Sequence, residues 1–367
     1  MMLKNNMINV TKSFIPPIEE YTIIAKRAFD NEWLTNRGEL VLELEAKLKG
    51  YLGVDNILIT NNGTIPIQIA LKLLGGGGEV ITTPFSYVAT TSAIVWEGCT
   101  PVFVDIHPEY LTIDASKIEA AITERTTCIL ATHVFGNPCD VEAIEAIARK
   151  HKLKVIYDAA HCFGVKYKGK SIFSYGDVST CSFHATKLFH TGEGGAIFCN
   201  DSELRHKIYY SHNFGHNGPE EFYGVGINAK ISELQAAMGL AVLPHLKEIV
   251  ANRRKVIELY QSRLDFSKLR GITISKFASW NYSYFPVLFQ DEHVLLECLK
   301  LLNVNGVFPR RYFYPSLSKL PYVIQNEMSI AEDISSRVLC LPLSHELTEN
   351  EAIAIVNFIN QAVQRLY

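Results

Sequence analysis

Short apolar runs alternate with longer stretches of helical periodicity through the first two thirds of the chain, and this alternation limits the fold more than any other feature. NILIT (ending at Thr60), EVITTP, PVFVDI, CILATHVFG and KVIYDAA each read as a short buried strand. LVLELEAKLKGYLG reads as an amphipathic helix ending at Gly53, and IPIQIALKLL as a helix that stops at the run Gly75 to Gly78. VATTSAIVWEG and VEAIEAIARKHK supply two more helices. Strands and helices of these lengths build βαβ units, which give a mostly parallel sheet with helices on both faces. VSTCSF and GGAIFCN read as two further strands flanking a special turn. Ligands of such sheets bind beyond the carboxyl ends of the strands. NNGT, FSY, HVFGN, YDAAH and SFHATK all lie at those ends, which points to one site. The four-glycine run follows a helix instead of opening one, so it reads as punctuation and not as a phosphate loop.

From ISELQAAMG onward the pattern becomes one long helical stretch, broken near Pro244. It reads as a connector, so residues 1–245 are expected to form a large domain and 246–367 a smaller α+β domain. The latter holds the strand-like runs SYFPVLF and NGVFPRRY and closes on the helical ENEAIAIVNFINQAVQRLY. A length of 367 residues suits that division. With 48% hydrophobic and 20% charged residues, the chain has the composition of a folded globular protein. A net charge of −3 gives no electrostatic footprint for nucleic acid or an anionic membrane. The eight cysteines form no C-x-x-C pair and no zinc spacing, so they read as reduced, buried thiols and no metal is expected. No segment reads as a signal peptide or a membrane span, and a cytoplasmic location is the expectation.

Three elements carry chemistry. In SFHATKLFHTGEGGAIF, Lys187 follows a strand among Phe183, Phe189 and small residues. A lysine is ordinarily a solvated surface charge. Desolvation there would lower its pKa and make it a Schiff-base nucleophile. In VIYDAAHCFG, Asp158 ends a hydrophobic strand, a costly place for a carboxylate without a cationic partner. A protonated pyridine nitrogen is such a partner, while a cap of the next turn is the alternative. In TNNGTIPIQ, Gly63 and Thr64 open a helix whose amino end suits a phosphate, and Ser182 adds a hydroxyl.

In this order the three elements resemble the DegT/DnrJ/EryC1/StrS sugar aminotransferases, which have the fold-type I, aspartate aminotransferase-like α/β architecture. The resemblance runs from NEWLTNRGELVLELE through NNGT, TPFSYVATTSAIVWEGCTPVFVDI, YDAAH and SFHATKLFHTGEGGA to GINAKISELQAAMG, PRRYFYP and RVLCLPLSHELTENE. It implies pyridoxal 5'-phosphate as cofactor, held by Lys187, with Asp158 on the pyridinium nitrogen and His161 near the 3-hydroxyl. It also implies Tyr87 on the ring face and Gly63, Thr64 and Ser182 around the phosphate. Asn228 would reach the cofactor phosphate of a neighbouring subunit, making a homodimer with shared sites. Lys230 stands where the family often has Arg, and His161 where it often has Gln. Glu193, His184 and His190 read as sugar ligands or, equally, as a turn carboxylate and satisfied core histidines. Arg310, Arg311 and Tyr312 look like a nucleotide-diphosphate clamp, with a solvated basic residue as the alternative for one of the arginines.

The activity implied is a ping-pong transamination in which L-glutamate aminates a nucleotide-linked keto sugar. His184 in SFH-x-x-K resembles the members that act at carbon 4, so amination there is expected, and the overall resemblance implies dTDP-4-keto-6-deoxy-D-glucose as the substrate and O-antigen or another surface polysaccharide as the destination. Amination at carbon 3 and a UDP-linked sugar are the alternatives. A dehydratase of the same fold has a histidine in place of the lysine, which Lys187 opposes. A non-catalytic regulator would leave the filled site without a purpose.

Overall fold

The structure, a computed structural model, describes residues 7–366. Seven strands make the central sheet: β1 (Leu58–Thr60), β2 (Glu79–Thr82), β3 (Thr100–Phe103), β4 (Thr126–Thr132), β5 (Lys154–Asp158), β6 (Val178–Ser182) and β7 (Gly195–Phe198). Their order across the sheet is β3-β2-β4-β5-β6-β7-β1. Every neighbouring pair is parallel except the two made by β7. Side chains of a strand alternate between faces, and two apolar cores follow from that. In β5, Val155 and Tyr157 join one core and Ile156 the other; in β4, Ile129 and Ala131 separate from Cys128 and Leu130 in the same way. Both faces are therefore buried, which is why these strands read as continuous apolar runs.

Helices cover the two faces. Leucines 40, 44, 48 and 52 of α2 (Glu39–Leu52), which follows α1 (Ile18–Asp30), pack into the first core. Ile67, Ala70 and Leu71 of α3 (Ile65–Leu74) and Ala93 and Ile94 of α4 (Val88–Trp96) pack into the second. α5 (Val141–His151) returns to the first face and α6 (Ser202–Ser211) lies on the second. α2 stops at Gly53, whose φ of 65° suits glycine and whose N–H closes on the Lys49 carbonyl. The long helical stretch is interrupted as the proline requires: α7 (Glu233–Val242) gives way to a 3₁₀ turn at Leu243–His245, and α8 (Leu246–Arg263) continues.

Beyond α8 a further core gathers around the antiparallel strands β8 (Arg270–Gly271), β9 (Phe285–Leu288) and β10 (Val338–Leu341), ordered β8-β9-β10. Helices α9 (Glu292–Val304), α10 (Ser329–Arg337) and α11 (Glu349–Leu366) complete this second lobe. Ile8–Asn9 pairs in parallel with Val307–Phe308 and Ile8 is buried in the same core, so the start of the described chain packs with the second lobe. Phe85 and Phe135 from the sheet side meet Tyr284, Phe313 and Val338 in a cluster that joins the two lobes at the carboxyl ends of the strands. All eight cysteines are buried and unpaired. Among the described residues, no helix is long and apolar enough to cross a membrane.

Candidate active site

A cavity of about 270 Å³ opens where the strands of the central sheet end. Its wall takes Gly63 and Thr64 from beyond β1, Tyr87 from beyond β2, Asp158 from the end of β5 and His161 from just beyond it, Ser182 from the end of β6, and His184 and Lys187 from beyond β6. Glu193 enters just before β7, and Arg310 and Tyr312 arrive from the second lobe. Eleven of the fourteen residues singled out in the sequence thus meet in one place.

The Lys187 amine lies 3.4 Å from the Tyr284 hydroxyl. Burial depresses its pKa, and the nearby Tyr312 and Asp158 oppose that shift. Asp158 is 5% exposed. One carboxylate oxygen accepts from the Thr90 hydroxyl at 2.6 Å and the other from the Ala160 N–H at 3.1 Å, and neither donor is a cation. Burial raises the carboxyl above its usual range, while the Thr90 and Ala160 donors and the Lys187 charge pull it back. His161 Nδ1 accepts the Phe135 N–H at 3.1 Å. Burial, with Lys187 adding to it, holds the ring well below the usual histidine pKa, so the neutral ring carries its proton on Nε2.

Asn62 Oδ1 caps α3, accepting the N–H groups of Thr64 at 2.8 Å and Ile65 at 2.9 Å. Gly63 passes close to Ser182: a Cβ there would stand 2.7 Å from the Ser182 Cβ and 3.0 Å from its Cα, so only glycine permits the approach. Thr64 and Ser182, both hydroxyl-bearing, line the cavity beside the amino end of α3, where the helix dipole is positive. At the mouth, His184 Nδ1 accepts the Thr186 N–H at 3.3 Å, and Nε2 faces Glu193 Oε1 at 3.5 Å. The Arg310 guanidinium lies 5.1 Å from the centre of the Tyr312 ring.

Three residues lie elsewhere. His190 is a satisfied core histidine: Nε2 bonds the Phe14 carbonyl at 2.7 Å and Nδ1 accepts the Gly192 N–H, which corrects its reading as a sugar ligand. Arg311 turns into the second lobe, where it pairs with Glu292, donates to the Ser336 carbonyl at 2.7 Å and covers the Tyr314 ring. It is no part of the cavity wall, unlike Arg310 and Tyr312, so its reading as a substrate ligand is corrected. Asn228 is exposed on the loop before α7, its carbonyl accepting from Asn61, and Lys230 beside it donates to Asn213 at 2.6 Å. Sequence reading missed Ser86, Thr132, Tyr284 and Phe313, all on the wall. All four stand inside stretches quoted from the sequence, Ser86 in TPFSYVATT, Thr132 in CILATHVFG, Tyr284 in SYFPVLF and Phe313 in PRRYFYP, but nothing local says that Tyr284 and Phe313 reach the cavity from the other lobe.

A model of the DegT/DnrJ/EryC1/StrS aminotransferase family matches residues 18–360. The chain belongs to this family. The dTDP-4-amino-4,6-dideoxy-D-glucose transaminase of Shigella dysenteriae is 42% identical over 361 residues, covering 96% of this chain and 98% of its own. The enzyme of that description from Escherichia coli is 38% identical over 372 residues, covering 97% and 99%. The crystal structure of DesI in the presence of its TDP-sugar product matches all of this chain and 95% of its own, at 31% identity and a TM-score of 0.93.

Aminotransferases of this family use pyridoxal 5'-phosphate, and the cavity suits it. An anionic phosphate fits the hydroxyls at the amino end of α3. A cationic ring nitrogen fits a buried carboxylate that has only neutral donors. An aldehyde carbon fits a buried lysine whose amine is shifted toward its neutral form. The family's α/β fold is the one expected from strand and helix periodicity.

Proposed function

We propose that this aminotransferase moves an amino group from L-glutamate to carbon 4 of dTDP-4-keto-6-deoxy-D-glucose, yielding a dTDP-4-amino-4,6-dideoxyhexose. The observation that carries the chemistry is the meeting of Lys187, Asp158 and the Gly63–Thr64–Ser182 corner in one cavity. Near-full-length similarity to two transaminases of that description supports the sugar.

The bound cofactor supplies an electron sink that lets a proton leave the carbon bearing the nitrogen. The chain's residues do the rest. Lys187 would hold the cofactor covalently and, as a free amine, would carry the proton, a task suited to an amine whose pKa burial has lowered. Asp158 pairs with the ring nitrogen, and the neutral His161 offers its Nε2 proton to the ring oxygen. Tyr87 covers the ring face, and Gly63, Thr64 and Ser182 hold the phosphate. His184 and Glu193 meet the sugar hydroxyls at the mouth, while Arg310 and Tyr312 take the diphosphate and the base.

The chain is further proposed to work as two domains dividing between residues 245 and 246, apart from Ile8–Asn9, which pack with the second. Two chains form a homodimer in which Asn228 of each reaches the phosphate in the other. Light scattering should then give about 82 kDa, twice 41.2 kDa. Mixing Lys187→Ala with Asn228→Ala subunits should restore activity by creating one intact site per mixed dimer. The proposed setting is the cytoplasm, with the product entering O-antigen or another surface polysaccharide.

The test is a coupled assay of protein, pyridoxal phosphate, L-glutamate and dTDP-4-keto-6-deoxy-D-glucose, with the amine located by NMR. An amine at carbon 4 is expected, its configuration read from the ring couplings. An amine at carbon 3 would overturn the regiochemistry. Turnover only with the UDP-linked sugar would overturn the nucleotide.

A further inference from the structure

Three buried hydroxyls stand in line behind Asp158. Thr132 Oγ1 lies 3.1 Å from Ser86 Oγ, Ser86 Oγ lies 2.8 Å from Thr90 Oγ1, and Thr90 Oγ1 lies 2.6 Å from Asp158 Oδ2. They come from three elements: the end of β4, the turn after β2 and the first turn of α4. None is more than 5% exposed. Each hydroxyl has one proton to give, and an ionised carboxylate has none. The line therefore has one direction in which every bond is made: Thr132 donates to Ser86, Ser86 to Thr90, and Thr90 to Asp158. Each donation polarises the next, so the last bond, to the charge, is the strongest.

The arrangement is not a helical habit. A threonine in a helix commonly turns its hydroxyl back to the carbonyl four residues earlier. Thr90 spends its proton on Asp158 instead, while the equally buried hydroxyl of neighbouring Thr91 has no partner. Ser86 and Thr132 also face the cavity, so the line runs along its wall. The Ala160 N–H fixes the other carboxylate oxygen, which leaves the orientation of Oδ2 to the hydroxyls.

We propose that Thr132, Ser86 and Thr90 are positioning residues, a one-way hydroxyl relay that keeps Asp158 ionised and aimed so that the cofactor's ring nitrogen stays protonated. This rests on the reading that Asp158 faces that nitrogen.

The holoenzyme loaded with cofactor carrying ¹⁵N in the ring tests it, because the ¹⁵N shift separates a protonated from a free pyridine nitrogen. Wild type should give the protonated shift. Thr90→Val, which keeps the shape and removes the donor, should move the shift toward the free value and lower kcat about 10–100-fold, with KM for the sugar nucleotide changed less than about threefold; one hydrogen bond to a charge is of that size. Thr90→Ser should restore both. Ser86→Ala and Thr132→Val should move them the same way by less, and they keep the test open if Thr90→Val does not fold. A wild-type ¹⁵N shift and kcat in folded Thr90→Val, or in the other two variants where it does not fold, would overturn the relay. A free-nitrogen shift in the wild type itself would instead overturn the reading of Asp158, and the relay with it.

Discussion

Arg310 and Arg311 are neighbours in sequence and face opposite ways, and their substitutions should separate binding from folding. Arg310 is on the cavity wall beside Tyr312. Arg310→Ala should raise KM for the nucleotide sugar at least tenfold, as expected for losing a charge-assisted contact to phosphate, with the melting temperature unchanged. Arg311→Ala removes a pair with Glu292 and a stack on Tyr314, so it should cost about 1–2 kcal/mol in a denaturant titration and leave KM alone. Equal KM for the two variants would sink the assignment. Lys187→Ala should abolish borohydride-fixable cofactor and lower kcat by more than ~1,000-fold, measured on protein that still binds the cofactor. Lys187 and Asp158 were legible because each is expensive where the local sequence puts it, Asp158 at the end of an apolar strand and Lys187 between Phe183 and Phe189 beyond the next one. The two arginines were not, because adjacent residues of an irregular segment carry no pattern that says which faces the site.

At the scale of elements, α2 has no side-chain cap of its own, and α7 supplies one. Glu233 is 1% exposed and accepts the N–H groups of Gly38 at 2.9 Å and Leu40 at 2.7 Å. A carboxylate there satisfies two orphan donors and meets the positive end of the helix. Glu233→Ala should cost about 2–3 kcal/mol of unfolding free energy, and a loss below 0.5 kcal/mol would refute this role. Gly63→Ala presses a methyl against Ser182, including its backbone. It should weaken cofactor binding, measured by fluorescence titration, by the ~1–3 kcal/mol of an overpacked site. The helix start at Gly63 and Thr64 was legible from NNGT before an apolar run, and so was the break at Pro244. The long-range cap was not, since 195 residues separate Glu233 from Gly38.

Over the whole molecule, the buried histidines tie stability to pH. Burial pushes His133 down to about 3 and His212 down to about 4, and takes His161 well below its usual value. The unfolded chain protonates these rings near pH 6.5, whereas the native state does not. The unfolded state thus binds more protons, and stability falls as pH drops from about 6.5 toward about 4, while above 6.5 these groups contribute no slope. Each costs about 1.4 kcal/mol per pH unit inside that window. His133→Asn should flatten the dependence of unfolding free energy on pH by about that amount between pH 6 and 4.5. An unchanged slope would mean that His133 titrates in the native protein.

Local sequence by itself determined the class of fold and pointed to the residues that gather in the candidate site. A period of two or 3.6 is a property of a few neighbouring side chains, and so is an aspartate at the end of an apolar run or a lysine set between two phenylalanines. Only the tertiary structure decided what depends on residues far apart in the chain. It pairs Ile8–Asn9 with Val307–Phe308, brings Tyr284 to within 3.4 Å of Lys187, lines up three hydroxyls behind Asp158 and turns His190 and Arg311 away. These placements follow from how the lobes pack and from which buried polar group finds a partner, a condition met across the whole molecule that no window of sequence contains.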